Sequence, residues 1–293
     1  MLNFVKYNYR RAGILLALIV PLQNNIINQT VKVTIKFYKY QGAGNDFILI
    51  DNRKNAVNHQ NPQLIARLCD RRFGIGGDGI MFLQDRTGYD FEMVYYNSDG
   101  QPSSMCGNGG RCIVAFAKFL GIIDTETNFL AVDGPHHAKI SANGEWVSLQ
   151  MIDVNEISRD GDAYVLDTGS PHYIKMATGL KDKDVYEEGY AIRNNSTYKA
   201  KGINVNFVEP NLDGYFVRTF ERGVEDETYA CGTGVTAVAL AMAKRNNQTG
   251  KLNTPIKTLG GDLNIRFEAD GTHFSNIFLE GPAVQVFSGE ISI

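Results

Sequence analysis

The 293 residues carry 43% hydrophobic and 21% charged side chains with a net charge of −3, the balance of a soluble globular chain with material for two cores. Basic residues are scattered, with no run beyond Arg10-Arg11, Arg71-Arg72 and Lys244-Arg245, so no electrostatic footprint for nucleic acid is present. The four cysteines, Cys69, Cys106, Cys112 and Cys231, form no C-x-x-C pair. A zinc knuckle, a redox motif and a disulfide framework therefore drop out, and a cytoplasmic location with no metal site is expected.

Residues 1–32 read as an N-terminal extension. Lys6, Arg10 and Arg11 precede an apolar run, Ala12 to Leu22, that is too short to span a bilayer and contains Pro21, so no membrane attachment is expected. From Val31 the pattern turns β-rich, breaks at Gly42-Ala43-Gly44-Asn45-Asp46, and resumes as a strand over Phe47–Ile50. A helix is predicted over Pro62–Cys69, then strands over Ile80–Leu83, Phe91–Tyr96, Val147–Met151 and Ala163–Leu166. Further strands are predicted over Val205–Val208, Tyr215–Phe220, Leu263–Phe267, Phe274–Leu279 and Val284–Ile293. Two longer helices are expected near 108–120 and 233–245. His136-His137 reads as loop, Asp78 and Asp99 as turn-makers, and Cys69 and Cys112 as packing residues.

Those two helices lie in an internal repeat. A strand, a loop, Cys-Gly-x-Gly and an apolar helix occur at Met105–Phe119 and again at Ala230–Lys244, with Asn97 nine residues before Cys106 and Arg222 nine before Cys231. Matched spacing points to two related lobes, each presenting a cysteine at a helix N-terminus. Unpaired N–H groups and the helix dipole suit that position to an anion such as a carboxylate. The same field is expected to lower a thiol pKa from about 8.5 toward neutrality. Two thiols facing one bound carbon could remove a proton from one side and return one to the other. No cofactor is called for: the chain has no P-loop, no Rossmann spacing and no pyridoxal-phosphate lysine frame.

The motifs KYQGAGNDFILID, YNSDGQPSSMCGNGGRC, TGSPH, INVNFVE, FERGVEDETYACGTG and EGPAVQVFSGE together resemble those of the diaminopimelate epimerases, from about residue 35 to the C-terminus. The resemblance implies an α+β fold of two pseudo-symmetric lobes. Each would be a strand-rich sheet or barrel around a central helix, with the active site in the interlobe cleft. It implies interconversion of LL- and meso-diaminopimelate, serving lysine and peptidoglycan precursor synthesis, without pyridoxal phosphate. The expected first lobe is 33–152, with strand 283–293 returning to it, and the second is 153–282; a homodimer is expected. By the same resemblance Cys106 and Cys231 are the acid/base pair, and Gly107, Asn108, Gly232 and Thr233 supply the carboxylate cradles. Glu221 and Arg222 then lie near the reacting amino group and the distal carboxylate, Asn45, Asn97 and Asn204 hold the distal end, and His172 assists. Two positions depart from the family pattern: Ser170 replaces an Asn, which would make one distal contact shorter or water-mediated, and Gly79 replaces a Gln, which would remove one. Rival readings are a proline or hydroxyproline racemase, which typically carries His where this chain has Asn108, a binding protein that kept the fold, and a membrane-attached protein.

Overall fold

The computed structural model describes residues 33–103 and 105–293, so the N-terminal extension lies outside the described residues. Strand β1 (Thr34–Gly42) turns into β2 (Asn45–Asp51) through Ala43 and Gly44. Both have positive φ, 51° and 93°, the backbone that matches a two-residue hairpin to the twist of its strands. Helix α1 (Pro62–Cys69) is started by Asn61, whose side chain accepts from the Leu64 N–H, and by Pro62 in the first turn. It crosses over to β3 (Gly79–Gln84), which runs parallel to β2. β3 is followed by antiparallel β4 (Phe91–Asn97), helix α2 (Gly107–Phe119) and the strands β5 (Glu126–Ala131), β6 (Gly134–Ile140) and β7 (Trp146–Gln150).

The second half repeats this plan. After β8 (Ser158–Asp160), β9 (Ala163–Asp167) leads to β10 (Pro171–Met176), helix α3 (Val185–Arg193) and β11 (Asn204–Pro210), which is parallel to β10. Then come β12 (Tyr215–Glu221), the short β13 (Asp226–Thr228), helix α4 (Gly232–Arg245), β14 (Gly250–Thr258), β15 (Gly261–Ala269) and β16 (Phe274–Pro282). Antiparallel pairing of β7 with β16 joins the two halves. The last strand, β17 (Val284–Ser292), pairs with β1. Each half wraps strands around one helix: α2 packs on β1, β2, β3, β6, β7 and β16, and α4 on β9, β10, β11, β12, β14, β15 and β16. Both helices are buried nearly all round, from Gly107 to Ala117 and, Thr233 excepted, from Gly232 to Ala243, so their sequences are largely apolar, with Asn108, Arg111 and Thr236 as buried polar exceptions. Cys112 packs against the α2 core and Cys69 in the cluster under α1.

The structure differs from the sequence reading at three points. His136 and His137 lie on β6, where they pair with Phe129 and Asn128; the hairpin ladder makes a strand of a run with little β-propensity of its own. Helix α3 has no clear signature in the sequence, because its run is largely polar with Gly189 in the middle. Gly189 is required, since a side chain there would enter Phe220, and Asp184 caps the helix by accepting from Glu187 N–H. Lastly, the repeat does not equate Asn97 with Arg222. Register pairs Phe47 with Gly79, Met81 with Tyr95 and Gly79 with Asn97 in the first half. In the second it pairs His172 with Asn204 and Asn206 with Thr219, and the next non-neighbouring step brings Asn204 opposite Glu221. Asn97 therefore corresponds to Glu221, and the connection that holds β13 is one residue longer.

The space at Gly79 is already taken. A Cβ there would lie 2.5 Å from the Tyr95 ring and 2.6 Å from the Tyr96 carbonyl, and the carbonyl cannot move away without breaking the β3–β4 ladder. Gly79→Ala is expected to cost about 1–3 kcal/mol of stability, read as a lower denaturation midpoint. An unchanged midpoint would contradict this packing.

Candidate active site

Cys106 and Cys231 are the N-cap residues of α2 and α4, both with extended backbone (φ −101°, ψ 131° and φ −108°, ψ 112°). The helices meet end to end at their glycines. A Cβ on Gly107 would lie 2.7 Å from Leu279 Cδ2, and one on Gly232 would lie 2.9 Å from the same atom and 3.2 Å from Gly107 Cα, so a side chain at either position would crowd the junction. Two positive helix ends, with their unpaired N–H groups, thus converge on one place. Beneath them lies Arg111, fully buried, whose guanidinium reaches only carbonyl oxygens: Gly107 O at 3.2 Å, Asn108 Oδ1 at 3.0 Å and Pro282 O at 3.4 Å. Among the described residues no carboxylate neutralises it, so its charge adds to that of the helix ends. An anion bound between the cysteines would answer all three.

Burial is the larger influence on both sulfurs and pushes both thiols up, contrary to the lowering expected from the helix ends alone. At Cys106 the backbone N–H groups of Gly109 and Asn108 oppose it, with Glu221 adding to the rise. At Cys231 Glu221 again adds to the rise, while the Thr233 hydroxyl and Gly234 N–H oppose it. Removing water from a thiolate costs more than these few donors return.

Glu221 ends β12 with one carboxylate oxygen accepting from the Thr228 hydroxyl at 2.9 Å; burial raises its pKa. Arg222 donates to Lys201 O and to Ser170 Oγ, both at 3.2 Å. Among the described residues neither charge has an ionic partner, so a carboxylate and a guanidinium stand adjacent and free for a zwitterionic ligand. Ser170 also accepts from Asn204 Nδ2 at 2.9 Å, a direct contact that the shorter side chain makes within the protein. Asn204 spends its other donor on Pro171 O and accepts from Arg222 N–H, leaving only its carbonyl to share. The exposed Asn97 side chain has no partner among the described residues.

Asn45 is more committed than the sequence suggests. It donates to Asp78 Oδ2 at 3.0 Å and accepts from Asn108 Nδ2 at 2.6 Å, and the same Asn108 amide donates to Ala230 O at 2.9 Å, next to Cys231. Asn108 therefore ties the first helix to the loop that carries the second cysteine. Asp78 is not merely a turn-maker: it anchors Asn45 and pairs with Arg71 at 2.8 Å. Arg71 and Lys39 also pair with Asp46. Burial pushes Asp46 up, but these two cations together hold it at about 2. One partner of each comes from a distant segment, Asn45 for Asp78 and Pro282 O for Arg111, which no local spacing reveals.

His172 is buried and neutral: burial lowers its pKa to about 3, with Arg222 adding to the effect. Its Nε2 lies 2.9 Å from Thr233 Oγ1, which lies 3.5 Å from Cys231 Sγ. The gathered groups, two cysteines at converging helix N-termini, the N–H groups of those ends and a carboxylate and guanidinium without ionic partners, suit chemistry on an amino acid.

A diaminopimelate epimerase family model matches residues 37–156 and 164–286. The diaminopimelate epimerase of Flavobacterium psychrophilum is 52% identical over 258 residues, covering 88% of this chain and all of the relative. That of Chlorobaculum tepidum is 42% identical over 260 residues, covering 86% of this chain and 99% of the relative. Among solved structures, a Bacillus anthracis phenazine biosynthesis protein of the PhzF family superposes with a TM-score of 0.71 at 14% identity, covering 89% of this chain and 99% of that one. A hydroxyproline epimerase from Agrobacterium vitis gives 0.65 at 12% identity, covering 89% and 93%. These two share the fold, the α+β arrangement of two lobes around central helices. The sequence matches go further, and the chain belongs to the diaminopimelate epimerase family.

Proposed function

We propose that this chain is a cofactor-independent epimerase that interconverts LL- and meso-diaminopimelate, with Cys106 and Cys231 as its acid/base pair. The observation that carries the reading is the end-to-end meeting of α2 and α4, each capped by a cysteine. One cysteine as thiolate takes the α-proton and becomes a thiol, and the C–H electron pair passes into an enolate-like carboxylate. The other thiol gives its proton to the opposite face and becomes the thiolate, so the centre inverts and the roles exchange. Backbone N–H groups around Gly107, Asn108, Gly232 and Thr233, with the buried Arg111 charge behind them, stabilise the developing negative charge. Glu221 receives the reacting ammonium and Arg222 the distal carboxylate, with Asn45, Asn97, Ser170 and Asn204 shaping the distal end and His172 assisting Cys231 through Thr233.

The first lobe is taken as 33–152 with 283–293, and the second as 153–282, with the site in the cleft between them. No helix among the described residues is long and apolar enough to cross a membrane, and a cytoplasmic enzyme on a lysine and cell-wall precursor route fits the substrate. A homodimer is proposed through β17, where Val284, Val286 and Phe287 are exposed. The reading is tested by adding LL-diaminopimelate to the purified protein without pyridoxal phosphate and separating stereoisomers by chiral chromatography. Appearance of the meso form supports it; unchanged substrate with a folded, reduced protein refutes it.

A pH dependence follows from the raised thiols. The thiolate is the reactive form, so kcat/KM is expected to climb with pH from 7 toward 9, by up to about tenfold per unit until the thiol titrates. A profile falling over that range would contradict a thiolate base.

A further inference from the structure

The pseudo-symmetry of the two halves exposes a difference between the thiols. Behind Cys231, Thr219 Oγ1 donates to Asn206 Oδ1 at 2.9 Å. The Asn206 amide lies 3.1 Å from His172 Nδ1 and 3.3 Å from Tyr173 O. Tyr173 O can only accept, so the Asn206 nitrogen must face that side, and it donates to Nδ1 as well. Nδ1 is therefore the bare nitrogen of a neutral imidazole and Nε2 carries the proton. That proton is donated to Thr233 Oγ1, which leaves the threonine its own hydroxyl proton for the sulfur of Cys231.

The first half has the same frame with different contents. By register, Phe47, Met81 and Tyr95 occupy the places of His172, Asn206 and Thr219. The glycines after each cysteine agree: a side chain at Gly109 would enter Met81, and one at Gly234 would enter Asn206. Asn108 stands where Thr233 stands, two residues after its cysteine. Its amide is spent on Asn45 and Ala230 O, and its carbonyl on Arg111. Cys106 is thus backed by a phenylalanine and a methionine and receives no side-chain donor from this position.

We infer that Asn206, braced by Thr219, is a positioning residue that fixes His172 as its Nε2–H tautomer and so turns the Thr233 hydroxyl proton onto the Cys231 sulfur, a donor the first thiol lacks. That hydrogen bond stabilises negative charge on Cys231 from a side chain, where Cys106 relies on the backbone N–H groups of Gly109 and Asn108 alone. The other titratable groups facing Cys231 are Glu221 at the end of β12 and Cys106 at the N-terminus of α2, with Arg222 beyond His172. The inference rests on the two-thiol reading, but its test does not use turnover, so a failure of either can be told apart.

The test combines nitrogen-15 NMR of histidine-labelled protein with the pH dependence of iodoacetamide labelling, followed at each cysteine by peptide mass spectrometry. The wild type should show His172 as the neutral Nε2–H tautomer. In Asn206→Asp the near-isosteric carboxylate cannot donate to Nδ1, so the proton should appear on Nδ1. Thr233→Val should raise the labelling midpoint of Cys231 by about one pH unit, tenfold in thiolate population, and leave Cys106 within a few tenths, while Thr233→Ser should keep the wild-type midpoint. Using midpoints removes the difference in access between the two sulfurs. A wild-type His172 protonated on Nδ1, or a Thr233→Val variant that shifts both cysteines equally or neither, would overturn the inference.

Discussion

Replacing Cys106 or Cys231 by alanine is expected to lower epimerisation by about 10²–10⁴-fold, the worth of a positioned acid or base. The loss should be nearly the same for either position, because inversion needs one thiol to take the proton and the other to return it. The double variant should be scarcely worse than the singles, since groups that act as a unit are not additive. The folded state should survive, because each cysteine is an N-cap at the mouth of its helix and α2 and α4 are held by their buried faces. Serine variants separate the steps: Cys106→Ser or Cys231→Ser should fail to invert the centre yet still eliminate a leaving group from a β-halogenated analogue through the remaining thiol. A single variant with near wild-type rates would remove its cysteine from the chemistry.

The second large effect concerns the end of the substrate that does not react. An enzyme that inverts one end of a two-ended amino acid must hold the other, and an analogue without the distal carboxylate leaves the Arg222 guanidinium unpaired. A site that bonds such a group rejects the analogue, and for the exposed Arg222 the loss is that of one hydrogen-bonded charge pair, about 10–100-fold. Lysine, which lacks that carboxylate, should therefore show kcat/KM lower than diaminopimelate by about this factor. Arg222→Lys should weaken diaminopimelate turnover too, because an ammonium cannot hold Ser170, Lys201 O and a carboxylate in one plane as the fork does. Ser170→Asn should be tolerated, since its carbonyl can accept from Asn204 and Arg222 as the serine oxygen does. It should change binding by no more than one hydrogen bond, about 0.5–1.5 kcal/mol. Equal turnover of lysine and diaminopimelate would replace this account with a broader racemase.

What was legible in the sequence follows from how local each signal is. The two Cys-Gly-x-Gly frames announced α2 and α4 because helix ends and apolar helices are read within a few residues. Their end-to-end meeting follows from the repeat. Helix α3 needed the repeat as well: its place between two parallel strands mirrors that of α1, which its polar surface hides. The equation of Asn97 with Arg222 failed because counting back from the cysteine cannot see the extra residue beside β13. Arg111 and Asn206 carry no signal in the sequence, and Asp78 reads there only as a turn-maker, for a different reason. Each is an ordinary polar residue in the sequence and becomes informative only when its burial and its remote partner, Pro282 O for Arg111, Asn45 for Asp78 and His172 for Asn206, are known. The expected lowering of the thiols failed because burial is a property of the whole fold, whereas the helix field can be read from one turn.

The central claim is that the α-proton crosses between two thiols, and the most direct measurement is the reaction of LL-diaminopimelate in deuterated water, with product followed by mass and by chirality. The account predicts meso product carrying one deuterium at the inverted carbon and none at the distal α-carbon, with both outcomes lost together in Cys106→Ala and Cys231→Ala. Meso product formed without solvent deuterium, or deuterium entering both α-carbons at similar rates, would contradict it.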